Sequence, residues 1–124
     1  MSGSSGGRDV LADVRHQLAL LARRSQCRIT EFTRDRPTEW RPTEVINPES
    51  SMLYTDAGAW DLIATKLEEG HPLTEVELRR PPGKKGYEMI IELPSNCAPV
   101  YVKLQLGAGK VIGRSFHLSI KEGV

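Results

Sequence analysis

The C-terminal half of the chain alternates apolar and polar residues with a period of two, and this pattern restricts the possible folds more than any other feature. Successive side chains of a β-strand point to opposite faces of the sheet, so this period predicts strands with one buried face. The predicted strands are 75–80, 87–93, 100–106 and 111–120. Short turns rich in proline and glycine separate them, so we expect an antiparallel meander spanning 73–120.

Two segments with helical periodicity precede the predicted sheet. Apolar residues recur three and four positions apart in 8–24 and again in 55–70. Thr55 offers an N-cap oxygen to the second segment, and Gly70 stands where a helix commonly ends. The predicted fold is therefore α+β, with a four-stranded antiparallel sheet and helices packed on one of its faces.

The remaining segments follow neither period. Residues 1–7 are small, polar and rich in glycine, and we expect a disordered tail or tag there. Residues 28–51 contain three prolines, which disfavour helix and sheet, so we expect an extended arm lying over the domain. A short strand is compatible with 28–33, and Trp40 is the large apolar anchor of the arm. Residues 8–124 are predicted to form a single domain.

Composition excludes several classes of protein. The 124 residues fit one domain, and a net charge of +1 gives by itself no electrostatic reason to expect a nucleic-acid partner. No apolar run is long enough to span a membrane, so we expect a cytoplasmic protein without a membrane partner. Cys27 and Cys97 lack the spacing of a disulfide framework, and the three histidines lack that of a zinc site. We therefore expect no metal and no cofactor.

The turn at 107–109 decides which side chains share a face of the last hairpin. A three-residue loop pairs Val100 with Phe116 and gathers the apolar side chains on one face, whereas a two-residue loop mixes the faces. Burial of the apolar side chains favours the three-residue loop. In this register Arg114 points toward the apolar face, which is unfavourable for a charged side chain. The predicted open face then carries a polar set: Tyr101, Lys103, Gln105, Ser115, His117, Glu88 and Glu92.

This predicted face holds the groups that RNA cleavage without a metal requires. A base removes the proton of the ribose 2′-hydroxyl, cations stabilise the phosphorane, and an acid protonates the departing 5′-oxygen. We assign the acid or base role to His117, a positioning or proton-donating role to Tyr101, and phosphate binding to Lys103 with Arg114. Two further candidate RNA contacts on this face are Ser115 and Gln105.

Each of these assignments has a non-catalytic alternative. One face of an antiparallel sheet is often simply solvated, and polar alternation looks the same with or without chemistry. Lys84 and Lys85 occupy a turn of proline and glycine, where they form either a phosphate-binding loop or a charged hairpin tip. We keep both lysines as candidate RNA contacts.

The sequence V-Y-V-K-L at 100–104, a glycine hairpin and S-F-H at 115–117 together resemble the C-terminal strands of MqsR-type toxins. Those strands read V-Y-[VIL]-K-[LIV] and S-F-[KH], and the family belongs to the RelE-like ribonucleases of bacterial type II toxin and antitoxin systems. The resemblance implies a small antiparallel sheet with helices on one side, mRNA cleavage without a metal, and a neutralising antitoxin. It also implies that Tyr101 and His117 line the active face.

The chain departs from that family in three ways. His117 stands where MqsR-type toxins often have lysine, the segment F-Y-K-S-M is lacking, and an N-terminal helix and proline-rich arm are added. We expect an endoribonuclease toxin that acts on RNA, ribosome-bound mRNA included, and binds a cognate antitoxin. The alternative is a non-catalytic interaction module in which helix 8–24 or the Trp40 arm docks a partner. An exposed apolar stripe on that helix would favour the alternative.

Overall fold

The computed structural model describes residues 11–119 of the chain. The predicted tail 1–7, the start of the predicted first helix and the end of the predicted last strand lie outside these residues. Within 11–119 the elements are α1 Ala12–Ala22, a 3₁₀ turn Ser25–Cys27, β1 Arg28–Ile29, β2 Glu39–Trp40, a 3₁₀ turn Pro42–Glu44, α2 Asp56–Glu68, β3 Thr74–Glu77, β4 Lys85–Ile91, β5 Val100–Gly107 and β6 Lys110–Leu118.

The described strands form one mixed sheet in the order β1-β6-β5-β4-β3, with β2 also paired to β6. Strands β3 to β6 are consecutive antiparallel neighbours, whereas β1 and β2 run parallel to β6. The predicted α+β class is confirmed, but the predicted sheet of four antiparallel strands is wrong. The prolines of the arm prevent long pairing, yet two stretches of two residues each bond to the edge that β6 would otherwise expose.

Helix α2 begins and ends with the residues that predict its boundaries. The Thr55 hydroxyl oxygen accepts a hydrogen bond from the Gly58 backbone N–H at 3.0 Å, as an N-cap does. At the other end Gly70 has φ +83°, and the His71 N–H bonds the Lys66 carbonyl at 3.0 Å. This left-handed glycine stops the helix and satisfies a carbonyl of its last turn.

The core lies between the two helices and one face of the sheet, which we call the core face and which carries Val100, Val102 and Leu104 of β5. Leu18 and Ala22 of α1 are fully buried in the same apolar cluster, so the inner side of that helix is used within the fold. The other large buried side chains of this cluster are Trp60, Ile63, Leu67, Met89, Ile91, Val111 and Phe116.

Trp40 joins the arm to this core, as its predicted role of anchor requires. Its ring stacks on Trp60 with centroids 4.9 Å apart, and its Nε1 donates a hydrogen bond to Asp56 Oδ1 at 2.7 Å. The ring also lies against the backbone of Gly113, where any Cβ would clash with it. Glycine at position 113 therefore makes room for the indole.

The register of the last hairpin differs from the predicted one. Gly107 pairs with Lys110, so the loop has two residues and the predicted three-residue loop is wrong. Leu104 pairs with Gly113, but the preceding Lys103 pairs with Ser115. One additional residue, Arg114, therefore stands in β6 as a β-bulge.

The bulge reverses the side to which later residues of β6 point. Beyond it, Phe116 pairs with Val102 on the core face and His117 pairs with Tyr101 on the opposite face. Beyond the bulge the faces therefore do not mix, although the loop has two residues, whereas before the bulge the apolar Ile112 pairs with Gln105 on the side opposite the core face. The expected direction of Arg114 toward the apolar face is also wrong, because its guanidinium bonds the Gln105 side chain on the opposite face.

Candidate functional site

We call the other side of the sheet the polar face, defined by Tyr101, Lys103 and Gln105 of β5 and by Ser115 and His117 of β6. Paired positions in the ladder bring these residues side by side, since Tyr101 is opposite His117 and Lys103 is opposite Ser115. Lys103 is also the partner of Glu88 on β4. The polar face and the bulge together hold six predicted site residues: Tyr101, Lys103, Gln105, Arg114, Ser115 and His117.

Tyr101 is held in place by a carboxylate. Its hydroxyl donates a hydrogen bond to Glu88 Oε2 at 2.5 Å, and its ring centroid lies 5.4 Å from that of His117. Burial, then the bond to Glu88 and the charge of that carboxylate, raise the pKa of Tyr101. The phenol therefore keeps its proton at neutral pH and uses it to bond Glu88.

The hydrogen bonding of His117 leaves one ring nitrogen available. Nδ1 lies 2.9 Å from the carbonyl oxygen of Leu118, which can only accept, so Nδ1 carries the proton in this assignment. In the neutral ring, Nε2 then keeps its lone pair and can accept a proton. Nε2 lies 3.7 Å from Glu39 Oε1, and the His117 side chain is 24% exposed. The imidazole is therefore partly exposed to solvent, with Nε2 directed toward Glu39.

Arg114 places a buried positive charge on the same side of the sheet, at Gln105. The residue is only 6% exposed, and its Nε and Nη1 donate to the Pro37 carbonyl at 2.9 Å and to Gln105 Oε1 at 2.8 Å. Burial and the nearby charge of Arg36 lower the pKa of Arg114. No carboxylate among residues 11–119 pairs with this guanidinium, so its charge is left uncompensated, as it is at sites that take an anion.

A cavity of about 540 Å³ opens over the part of the polar face that carries Lys103 and Ser115, whereas Tyr101 and His117 are not part of its lining. Its floor includes Lys103, Ser115 and Arg114, and one rim carries Arg79 and Arg80. The opposite wall and the rest of the lining come from the arm and from the strands: Phe32, Pro37, Thr38, Glu39, Val76, Glu77, Leu78 and Glu88. The cavity thus combines apolar side chains with charged ones, four cations against three carboxylates, and a mixture of apolar and polar groups is usual in a ligand site.

Lys84 and Lys85 are not brought to this cavity. Lys85 precedes Glu88 by three positions in β4, so it points to the other side of the sheet, where it lies 3.4 Å from Glu75. Lys84 is exposed in the preceding turn and is absent from the cavity lining. Within the described residues, the candidate phosphate contacts are therefore Lys103, Arg114 and the rim arginines.

Several cavity residues escaped the sequence interpretation. Glu39 and Phe32 belong to the arm, and only the pairing of the arm with β6 brings them to the polar face. Arg79 and Arg80 form a basic pair directly before a turn, a signal that could have been weighed like that of Lys84 and Lys85. Their distance in sequence from the last hairpin hid their proximity to it.

Comparisons with known proteins do not identify the chain. No protein-family model matches it, and neither a curated protein nor a solved structure is similar enough to count as a match. The resemblance of 100–117 to MqsR-type toxins therefore stays a resemblance of short motifs.

Further properties of residues 11–119 concern metals, membranes and thiols. No three side chains among His, Cys, Asp and Glu come together there as ligands for a metal ion. The helices of this range are too short or too polar to cross a bilayer. Cys27 and Cys97 are both free thiols.

Proposed function

We propose that the polar face binds RNA and cleaves its phosphodiester backbone, with His117 as the group that accepts the proton. The observation that carries this proposal is the cross-strand pair of Tyr101 and His117 on the same side of the sheet as the uncompensated charge of Arg114. Transesterification of a phosphodiester needs a group that accepts a proton and cations that are free to stabilise the charge on the phosphate.

The proposed reaction is an internal transesterification. Nε2 of His117 takes the proton of the ribose 2′-hydroxyl, and the 2′-oxygen forms a bond to phosphorus while the bond from phosphorus to the 5′-oxygen breaks. The 5′-oxygen takes a proton from water, the imidazolium returns its proton to solvent, and the products are a 2′,3′-cyclic phosphate and a 5′-hydroxyl. Lys103 and Arg114 stabilise the negative charge on the phosphorane oxygens.

Tyr101 is proposed to position His117 and not to transfer a proton. Its hydroxyl already donates to Glu88, and a phenolate formed there would lie against that carboxylate. The raised pKa of Tyr101 has the same cause and opposes loss of the proton. The ring, held by this bond, limits the orientations open to the facing imidazole.

The motifs shared with MqsR-type toxins lead us to propose mRNA as the RNA and an antitoxin protein as the natural inhibitor. The rival proposal, a non-catalytic docking module, depended on an exposed stripe of α1 or on a free Trp40. Leu18 and Ala22 of α1 are fully buried, and Trp40 is stacked on Trp60. Both elements are thus occupied within the fold, and this favours the proposal based on the polar face.

The test is cleavage of end-labelled single-stranded RNA by the purified full chain in the presence of a chelator. We expect fragments that end in a cyclic phosphate, and we expect His117→Ala to lower the rate by about 10²- to 10⁴-fold, as loss of a proton-transfer group does. His71→Ala is the matched control, because His71 follows α2 and its Nδ1 bonds the neighbouring Pro72 carbonyl. RNA left intact by the wild-type chain, or equal rates with and without His117, would refute the proposal. Thermal unfolding of each variant separates loss of function from loss of fold.

A further inference from the structure

Phe32 is an exposed aromatic residue that the fold holds over a polar cavity. It is 65% exposed and forms part of the arm wall of the cavity described above. An aromatic ring beside cations can provide a stacking surface for an unpaired base.

The arm presents this ring from a built conformation. Thr33 and Arg36 exchange two backbone hydrogen bonds of 3.1 Å, which close the tip of the arm just after Phe32. Thr38 donates a side-chain hydrogen bond to the Thr30 carbonyl at 3.1 Å, across the same loop. The bond from Arg114 to the Pro37 carbonyl ties the loop to β6. The position of Phe32 is therefore set relative to the polar face before any ligand binds.

The charges of the cavity favour a ligand with a phosphate. Four cationic side chains line it, against three carboxylates: Arg79, Arg80, Lys103 and Arg114 against Glu39, Glu77 and Glu88. One of these carboxylates, Glu88, is engaged by the Tyr101 hydroxyl, whereas no ion pair within the described range holds Lys103 or Arg114. The volume of about 540 Å³ lies in the range of small-molecule sites, which also suits one nucleotide.

The cavity also has the right place relative to the proposed reaction. Lys103 and Ser115 line it and lie two residues from Tyr101 and His117 on their strands, which is about 7 Å along the sheet. An RNA chain whose phosphate reacts at His117 would therefore place a neighbouring nucleotide in the cavity.

We infer that the cavity between the arm and residues 76–80 is a nucleotide subsite, in which an unpaired base stacks on Phe32 and the adjoining phosphate binds the rim arginines Arg79 and Arg80. This inference rests on the proposed function and adds to it an aromatic residue that binds the substrate outside the reacting group. Since every base has a stacking face, the subsite would select for unpaired nucleotides and not for one base.

The test measures binding without cleavage. The His117→Ala chain is titrated into a labelled 2′-O-methyl oligoribonucleotide, which has no 2′-hydroxyl to react, and into an abasic oligomer with the same phosphates. We expect an added Phe32→Ala substitution to weaken binding of the base-bearing oligomer about 5- to 150-fold, as loss of one stacked base does, with no change for the abasic oligomer. Arg79→Gln should weaken both oligomers.

Met52→Ala is the matched control, because Met52 is an equally exposed apolar residue that is not part of the cavity lining. Unchanged affinity in Phe32→Ala, an equal loss for both oligomers, or no binding of either oligomer would overturn the subsite. The two proposals fail separately. A wild-type chain that does not cleave RNA but binds bases through Phe32 would refute only the reaction, and a chain that cleaves without need of Phe32 would refute only the subsite.

Discussion

Tyr101 and His117 stand directly opposite each other on β5 and β6, with their ring centroids 5.4 Å apart. The hydroxyl of Tyr101 bonds Glu88 and leaves its ring to contact the imidazole. We therefore expect Tyr101→Phe, which keeps the ring, to lower the rate of RNA cleavage by less than about tenfold, whereas loss of a proton-transfer group costs about 10²-fold or more. Single-turnover rates of Tyr101→Phe, Tyr101→Ala and His117→Ala provide the comparison. A Tyr101→Phe defect as severe as that of His117→Ala would make the phenol the proton-transfer group.

Lys103 and Lys85 provide a contrast between the two faces of the sheet. Lys103 lines the cavity, whereas Lys85 lies near Glu75 on the other side. We expect Lys103→Gln to weaken RNA binding and to reduce the salt dependence of the affinity by about one phosphate contact. Lys85→Gln should change neither quantity. Titrations by fluorescence anisotropy at several salt concentrations measure both, and a comparable loss in Lys85→Gln would mean that RNA also contacts the opposite face.

The contact of Trp40 with Gly113 predicts that even the methyl side chain of alanine at position 113 lowers the stability of the fold. A Cβ at position 113 would clash with the indole, which is itself fixed by Trp60 and Asp56. We expect Gly113→Ala to lower the free energy of unfolding by about 1–3 kcal/mol, as overpacking of a core does. Urea unfolding measures the change. Gly107→Ala is the control, because the nearest atom there is the flexible end of Ile112. A Gly113→Ala chain as stable as the wild type would show that Trp40 can move aside.

The ion pair that joins the two helices predicts a pH dependence of stability. Arg23 bonds both Glu68 oxygens, at 3.0 and 2.8 Å, and this bond lowers the pKa of Glu68. A carboxyl with a lowered pKa stabilises the fold above its unfolded pKa, and the effect is lost as the pH falls through the folded value. The melting temperature of Arg23→Gln should thus approach that of the wild type as the pH is lowered from 7 toward 3. The pair is exposed, so the difference at pH 7 should be small and should shrink in high salt. A difference that persists at pH 3 would show that Arg23 acts through its other contacts, which include Asp61 and Thr65, and not through Glu68.

The elements with a clear period were predictable from the sequence, because burial alone determines them. Helix α2 has both an N-cap at Thr55 and a left-handed glycine at Gly70, and the four antiparallel strands follow the alternation of apolar residues. The arm was harder, since two residues of strand are too few to produce a pattern. Its pairing with β6 depends on an edge that exists only after the hairpin has formed.

The common face of Tyr101 and His117 was expected, but the register that produces it was not. A loop that is one residue longer, or one residue inserted into the strand, each reverses the face to which every later side chain of β6 points. The sequence interpretation gave the loop one residue too many and missed the inserted Arg114, so the two errors cancel and His117 shares a face with Tyr101 as expected. The signal for the insertion was Arg114, whose expected direction toward the apolar face implied an unfavourable burial of charge. A bulge at this residue removes that conflict, and it also supplies the cavity with its buried cation.

The bulge at Arg114 makes chain length, and not only residue type, a determinant of this surface. Deletion of Arg114 would close the bulge and leave Lys103 opposite Ser115 and Tyr101 opposite His117, so both rings would keep their face while the surface would lose its buried cation. Deletion of Phe116 with the bulge retained would instead place His117 opposite Val102, and the imidazole would point to the core face. The effect of a one-residue deletion in the final strand therefore depends on its position: at the bulge it removes a charge, and after the bulge it reverses the face of His117.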